Sequence, residues 1–352
     1  MASAMRALPR TCTIVPPYLL TRLARVGPPE LAARARHTLE LDRSLRRARP
    51  SRGVSRPPPG SADPSLRRTI SDADSRDVLP GRTVRREDQP PTGDPAVDEA
   101  YDGLGATFAF FLEAYGRSSL DDAGRPLDAT VHFGRDYDNA FWDGERMVFG
   151  DGDGEVFLRF TASLSVIGHE LAHDVTQFTA NLTYQGQSGA INESISDVFG
   201  ALVEQYDRGQ SAAEASWLIG AELFGPAVQG RALRSLADPG TAYDDDLLGR
   251  DPQPGHLDDY IETDEDDGGV HLNSGIPNRA FYLAARELGG NAWERAGQVW
   301  YDVLTGGQLP VDADFAEFSV ATLRSAQRRF PRSPEVADAV RAGWEGVGVA
   351  PW

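Results

Sequence analysis

Two histidines four residues apart constrain this chain more than any other feature. The stretch reads His169-Glu170-Leu171-Ala172-His173. On a helix, positions i and i+4 share a face, so both imidazoles point at one spot. Glu170 follows the first histidine, where its carboxylate can flank that spot without being a ligand. Two imidazoles, one carboxylate and an open position make a catalytic zinc set. The pattern also arises on ordinary amphipathic helices, so a second segment has to decide. Nineteen residues separate His173 from Glu193, and Glu193 and Asp197 are again i and i+4, within Gly189-Ala190-Ile191-Asn192-Glu193-Ser194-Ile195-Ser196-Asp197. Glu193 can supply the third ligand. Asp197 can accept the outward N–H of a ligating histidine and fix its tautomer.

The rest of the chain has to carry such a site. Its 352 residues, 40% apolar, suffice for two folding units, or for one two-lobed enzyme with an extra segment. The net charge of −18 is unevenly spread. Residues 1–60 hold twelve arginines against Glu30, Glu40 and Asp42, about +9, which leaves about −27 for the remainder. All 35 basic residues are arginine. A basic head on an acidic body predicts that the head docks on its own body. The head has helical apolar spacing and no aromatic stacking platform, which argues against a nucleic-acid arm. The single cysteine, Cys12, excludes an intrachain disulfide. No apolar run approaches the roughly 20 residues that span a bilayer, so no membrane partner is expected. Arg6, Pro9 and Arg10 fall where a signal peptide would need its apolar stretch, so no export route is legible.

In chain order, the Pro16-Pro17 pair predicts an extended stretch, and Leu31, Ala35, Leu39 and Leu45 a helix. Arg49 to Ser65, rich in Pro, Gly, Ser and Arg, reads as an exposed linker open to proteolysis. Strands and turns follow over 66–97, then a helix over Val97 to Tyr115. Strands are expected at Ala129 to Phe133, Asn139 to Trp142 and Met147 to Gly150. The acidic Asp151-Gly152-Asp153-Gly154 reads as a turn. A calcium loop started at Asp151 would need Gly and Glu where Val156 and Ala162 stand. The metal helices are Leu164 to Thr179 and Gly189 to Tyr206. Helices are then expected at Ala212 to Phe224, Ile276 to Leu288, Trp293 to Leu304, Phe315 to Arg328 and Pro334 to Trp344. The fold class is α+β and two-lobed: 1–60 a short helical head and linker, 61–205 a sheet-containing lobe with the metal helices, 206–352 a helical lobe. An extended substrate would lie in the cleft between the lobes.

These residues resemble the thermolysin family of zinc metallopeptidases. The two metal segments match it, as do Asn139-Ala140-Phe141-Trp142, Arg234-Ser235-Leu236 before Asp238-Pro239, and Gly268-Gly269-Val270-His271-Leu272-Asn273-Ser274-Gly275-Ile276. The order of these motifs covers nearly all of 66–350. The head, with Pro16-Pro17-Tyr18-Leu19-Leu20, is similar to the propeptide of the protealysin-like branch.

The resemblance implies a zinc endopeptidase with His169, His173 and Glu193 as ligands and Asp197 behind His169. Glu170 would be the general base. Tyr184 and His271 would stabilise the oxyanion, with Asp266 orienting His271. Asn139 and Ala140 would bind the substrate backbone and Arg234 a substrate carbonyl. Phe157, Phe160, Val166 and Leu233 would wall an apolar pocket for the residue just after the cleaved bond. Further expectations are protein or peptide substrates, a monomer, secretion, and a propeptide docked intramolecularly until the enzyme cuts its own linker. The family's double calcium site reads as degraded, because Ser165 stands where an Asp ligand belongs and the segment after Glu204 is short. Neither a G-x-M-E-N motif nor a third histidine close to His173 is present, against the aminopeptidase and metzincin alternatives. Cys12 is expected to be an idle or buried thiol, a propeptide latch on the metal being the sharper alternative.

Overall fold

Strand periodicity in the first half and helical periodicity in the second set up two layers with a cleft between them. The computed structural model describes residues 12–48 and 65–350. The expected linker from Arg49 lies outside them except for Ser65. In the head, Thr13 forms a β-bridge, the chain bends at Ile14 and Val15, and Pro17 opens an unanticipated helix, α1 (Pro17–Val26). Proline is tolerated at a first helical position, where its missing N–H has no intrahelical partner anyway. The expected helix follows as α2 (Pro29–Ala48). Leu19, Leu20, Leu23, Leu31, Ala35 and Leu39 are buried in the same apolar core as the body. Each fully buried leucine contributes about 1.5–3 kcal/mol.

The first lobe holds β1 (Arg68–Arg76), β2 (Arg82–Arg86), α3 (Pro95–Tyr115), β3 (Leu127–Phe133), β4 (Ala140–Trp142), β5 (Met147–Phe149), α4 (Leu164–Phe178) and α5 (Gly186–Asp207). The sheet order is β2-β1-β3-β5-β4, with β1–β3 and β3–β5 parallel and the outer pairs antiparallel. β4 is therefore an edge strand, with one row of backbone groups free to pair with another chain segment. Helix α3 starts on Asp94, whose side chain accepts from Ala96 N, and stops at Gly116 in the left-handed conformation.

Two glycines fix how closely α4 and α5 approach. A Cβ on Gly168 would meet Gly200 Cα at 3.1 Å, and one on Gly200 would meet Ser165 O at 2.4 Å. Only glycine permits this contact, and it brings the histidine face of α4 against the acidic face of α5.

The second lobe contains β6 (Leu218–Ile219), β7 (Arg234–Ser235), β8 (Asp244–Asp245), β9 (Gly249–Arg250), α6 (Asp266–Asn273), α7 (Gly275–Leu288), α8 (Ala296–Thr305), α9 (Phe315–Arg329) and α10 (Pro334–Glu345). Its later helices fall where the sequence placed them. The helix expected at Ala212 to Phe224 does not form. Trp217 takes φ 57°, Gly220 takes φ 71°, and the Trp217 indole N–H donates to Ala212 O at 3.0 Å. This turn delivers Leu218 and Ile219 to pair with Arg234 and Ser235. The apolar spacing was real, but it serves a small hairpin that fixes Arg234.

Candidate active site

The geometry of α4 and α5 makes two bare nitrogens face each other. His169 Nδ1 lies 2.8 Å from Asp197 Oδ1, and a carboxylate can only accept, so the proton is on Nδ1. His173 Nδ1 lies 2.9 Å from Asn192 Oδ1 and 3.0 Å from Ser196 Oγ. Both Nε2 atoms are therefore lone-pair donors, and they stand 3.1 Å apart. Glu193 Oε2 is 3.6 Å from His169 Nε2, and its Oε1 is 3.5 Å from His173 Nε2. Glu193 Oε2 is buried with no hydrogen-bond partner. Ligands on a tetrahedral zinc at 2.0–2.1 Å lie roughly 3.3 Å from one another. The donor set, the spacing and the orphaned oxygen thus fit a zinc ion.

Charge distribution follows from burial. Burial, with His169 beside it, brings His173 down to about 4, which leaves its imidazole neutral. Burial works against ionising Glu193, but its charged neighbours, His271 foremost, outweigh it and bring the carboxyl down to about 2. Burial likewise opposes the Asp197 charge, and Arg234 and His169 overcome it. Arg234 Nε and Nη2 each donate to Asp197 at 2.8 Å, and Asn278 Nδ2 donates to it at 2.9 Å. Glu170 goes the other way. Burial, then the neighbouring Glu193, push it well above the usual carboxylate range. Its Oε2 accepts from Trp142 N at 3.2 Å, and its Oε1 is buried without a partner.

The second lobe closes the site. Asp266, Asp267, Gly268 and Gly269 all take positive φ, and two successive glycines make that run possible. It folds Asp266 back so that Oδ1 is 2.7 Å from His271 Nδ1 while Oδ2 accepts from His271 N at 2.9 Å. Burial opposes protonation of His271, but Asp266 and Glu193 raise it. His271 Nε2 faces Tyr184 OH at 3.4 Å and Glu193 Oε2 at 3.5 Å.

The head lies in the cleft. Ile14 N donates to Ala140 O at 3.1 Å, and Ile14 O accepts from Arg234 Nη1 at 3.1 Å. Val15 N donates to Asn139 Oδ1 at 2.9 Å, and Val15 O accepts from Asn139 Nδ2 at 3.3 Å. Thr13 pairs antiparallel with Phe141. Phe157, Phe160, Val166 and Leu233 are buried in the same apolar core as Ile14. Around this contact, Tyr137 OH donates to Asp42 at 2.5 Å and Arg34 pairs with Asp136 at 3.6 Å and Glu155 at 3.1 Å.

Cys12 departs from the expected idle thiol. Its Sγ is 2.8 Å from Glu193 Oε1 and 2.9 Å from Tyr184 OH. Cys12, His169, His173 and Glu193 place their donor atoms within 4.8 Å of one another, the only such group among the described residues. Sequence reasoning also missed Asn192, Ser196, Asn278 and Trp142 N. Asn192 and Ser196 were within reach of it, since they too are i and i+4 on α5. At the position expected to have lost its calcium role, Ser165 Oγ accepts from Gly220 N at 3.1 Å, and Glu204 pairs with Arg208 at 2.6 Å.

Comparison with known proteins agrees with this geometry. The thermolysin metallopeptidase catalytic-domain family model matches residues 68–177, and the thermolysin metallopeptidase alpha-helical-domain model matches 180–349. An extracellular metalloprotease of Pectobacterium carotovorum subsp. carotovorum is 52% identical over 340 residues, 96% of each chain. A thermolysin of Bacillus caldolyticus is 36% identical over 287 residues, 79% of this chain and 50% of that protein. The solved precursor of protealysin from Serratia proteamaculans superposes with a TM-score of 0.88 at 50% identity, covering 96% of this chain and 100% of that one. Two helices converging on a zinc-sized gap, under a head laid along the cleft, thus meet a matching lineage: the chain belongs to the thermolysin family and is a zinc metalloendopeptidase made as a proenzyme.

Proposed function

We propose that His169, His173 and Glu193 hold the zinc, and that the enzyme cuts internal peptide bonds on the amino side of large apolar residues. The observation that carries this reading is the convergence of two bare Nε2 atoms and a free Glu193 oxygen beside the unpartnered Oε1 of Glu170. Zinc held there supplies Lewis acidity, polarising a carbonyl and acidifying water. Glu170 takes a proton from the attacking water and passes it to the leaving amine. His271, kept protonated by Asp266, and Tyr184 donate to the oxyanion, an effect worth roughly 10²–10³ in rate. Asp197 holds His169 in its tautomer. Asn139 and Ala140 bind substrate as an added strand on β4, and Arg234 takes a carbonyl. The apolar wall of Phe157, Phe160, Val166 and Leu233 selects the side chain.

Residues 1–60 act as propeptide and linker, 61–205 and 206–352 as the two catalytic lobes. The propeptide keeps the cleft filled, with Cys12 against Glu193 and Tyr184 as its latch, until the enzyme cuts its own linker. The names of extracellular relatives support secretion, and no helix among the described residues is long and apolar enough to cross a membrane. The enzyme acts as a monomer on protein or peptide substrates. A labelled peptide with an internal leucine tests the reading. Processed protein should cleave it before the leucine, lose activity to a zinc chelator and regain it with zinc. Cleavage that survives complete zinc removal would overturn it.

A further inference from the structure

The direction of the bound head carries a consequence for its fate, which rests on the proposed peptidase reading. A trans peptide unit is planar, with its N–H and C=O pointing opposite ways. The Ile14 N–H points at Ala140 O on β4. The Thr13 carbonyl of the same unit therefore points away from β4, into the cleft. One residue earlier, Cys12 Sγ sits on Glu193 and Tyr184, the groups assigned to metal and oxyanion. One residue later, the Ile14 carbonyl is taken by Arg234, and both backbone groups of Val15 are taken by Asn139. Glu170 is anchored on Trp142 N, adjacent to the Phe141 that pairs with Thr13. The peptide bond bracketed by all these groups is Thr13–Ile14, and the side chain after it, Ile14, is fully buried in the apolar core shared with Phe157, Phe160, Val166 and Leu233.

We propose that Thr13–Ile14 is a masked scissile bond, bound in the productive direction and spared only because the Cys12 thiol occupies the place the attacking water needs. Once the thiol is withdrawn, the head becomes a substrate. Water adds its hydroxyl to the Thr13 carbonyl carbon, the C–N bond breaks, and the proton goes to the Ile14 nitrogen. The products are a fragment ending at Thr13 and a new N-terminus at Ile14. Release thereby destroys the strand that filled the cleft and cannot reverse.

The test uses full-length zinc-loaded protein carrying Cys12→Ala, followed by mass spectrometry and N-terminal sequencing, with a labelled apolar peptide assayed in parallel. A new N-terminus at Ile14 is expected, absent in Cys12→Ala/Glu170→Gln and slowed at least about tenfold in Cys12→Ala/Ile14→Asp. A synthetic peptide of residues 9–18 with Cys12→Ala, given to processed enzyme, should be cut at the same bond, so the outcome does not depend on how the variant head folds. The same peptide should compete with the labelled peptide for processed enzyme at least about tenfold more strongly than its Ile14→Asp form. If processed enzyme cleaves the labelled peptide but Thr13–Ile14 stays intact both in the Cys12→Ala protein and in the synthetic peptide, this inference is wrong while the peptidase reading stands. If processed enzyme cleaves neither peptide, the peptidase reading falls too.

Discussion

Asp197→Asn removes one charge from the hub of the site, and its two effects differ in size and readout. Asp197 accepts from His169 Nδ1, Arg234 Nε and Nη2, and Asn278 Nδ2, and it is fully buried. Asparagine keeps the size but presents an NH2 group where donors already point. The buried Arg234 loses its ion-pair partner, and an uncompensated buried charge costs about 3–5 kcal/mol. At about 2–4 °C per kcal/mol for domains of 150–250 residues, the melting point should fall by roughly 10 °C. Loss of the group orienting a ligating histidine should weaken zinc binding by about 10–100-fold. Both are measured in a Glu170→Gln background to avoid self-digestion, by thermal unfolding in saturating zinc and by competition with a chromophoric chelator. Asn278→Ala is the control. It removes one neutral donor, costs about 1 kcal/mol and leaves zinc affinity nearly unchanged. If Asp197→Asn kept zinc affinity within about twofold and the melting point within about 2 °C, both the orienting role and the cost assigned to breaking the buried ion pair would be refuted.

Three further outcomes follow from named groups. Glu170→Gln should keep a full complement of zinc while turnover of a labelled peptide drops about 10²–10⁴-fold, and full turnover would remove Glu170 from the mechanism. His132 is bound by Asp151 at 2.8 Å and Asp94 at 3.0 Å, and the Asp151 hydrogen bond leads in raising it to about 9. Its stabilisation is complete below an unfolded pKa of about 6.5 and lost as pH rises through about 9, so urea midpoints should decline over that window and His132→Gln should flatten the decline. Asp138 is buried under α2, its N–H donating to Thr38 Oγ1. Burial first, then the Asp153 and Asp136 charges, raise its carboxyl, and the Asp153 backbone N–H and Arg34 offset this only in part. A raised carboxyl favours the docked head at low pH, so protection of α1 and α2 amides, as exchange rate relative to the unstructured rate at the same pH, should fall as pH rises above about 4, and Asp138→Asn should flatten that fall.

The residues legible in the sequence were those whose role depends on local spacing. His169, His173, Glu193 and Asp197 sit at i and i+4 positions on two helices, and the structure brings them together as that period requires. Asp266 and His271 were legible only through the resemblance of the Gly268 to Ile276 stretch to the thermolysin family, and the two glycines there fold the Asp266 carboxylate back onto His271. What spacing could not show was contact across the chain. Cys12 reaches Glu193 from 181 positions away, and no local pattern distinguishes such a thiol from an idle one. The misread helix at Ala212 to Phe224 has the same origin. Apolar spacing there reports burial, while a left-handed Trp217 and pairing with distant Arg234 decide the backbone. Charge was a partial guide: the basic head does dock on the acidic body, with Arg34 pairing to Asp136 and Glu155, yet its buried leucines and Ile14 also join the body's apolar core.

Zinc-edge X-ray absorption on the full-length latent protein reads the assigned ligand set at the metal itself. One zinc per chain is expected, with two imidazole nitrogens, one carboxylate oxygen and one sulfur at about 2.3 Å, the sulfur vanishing in Cys12→Ser. Zinc held by His169, His173 and Glu193 with no sulfur in the latent form would remove the Cys12 latch. A protein that binds no zinc, or binds it without those three ligands, would overturn the metal site and the mechanism built on it.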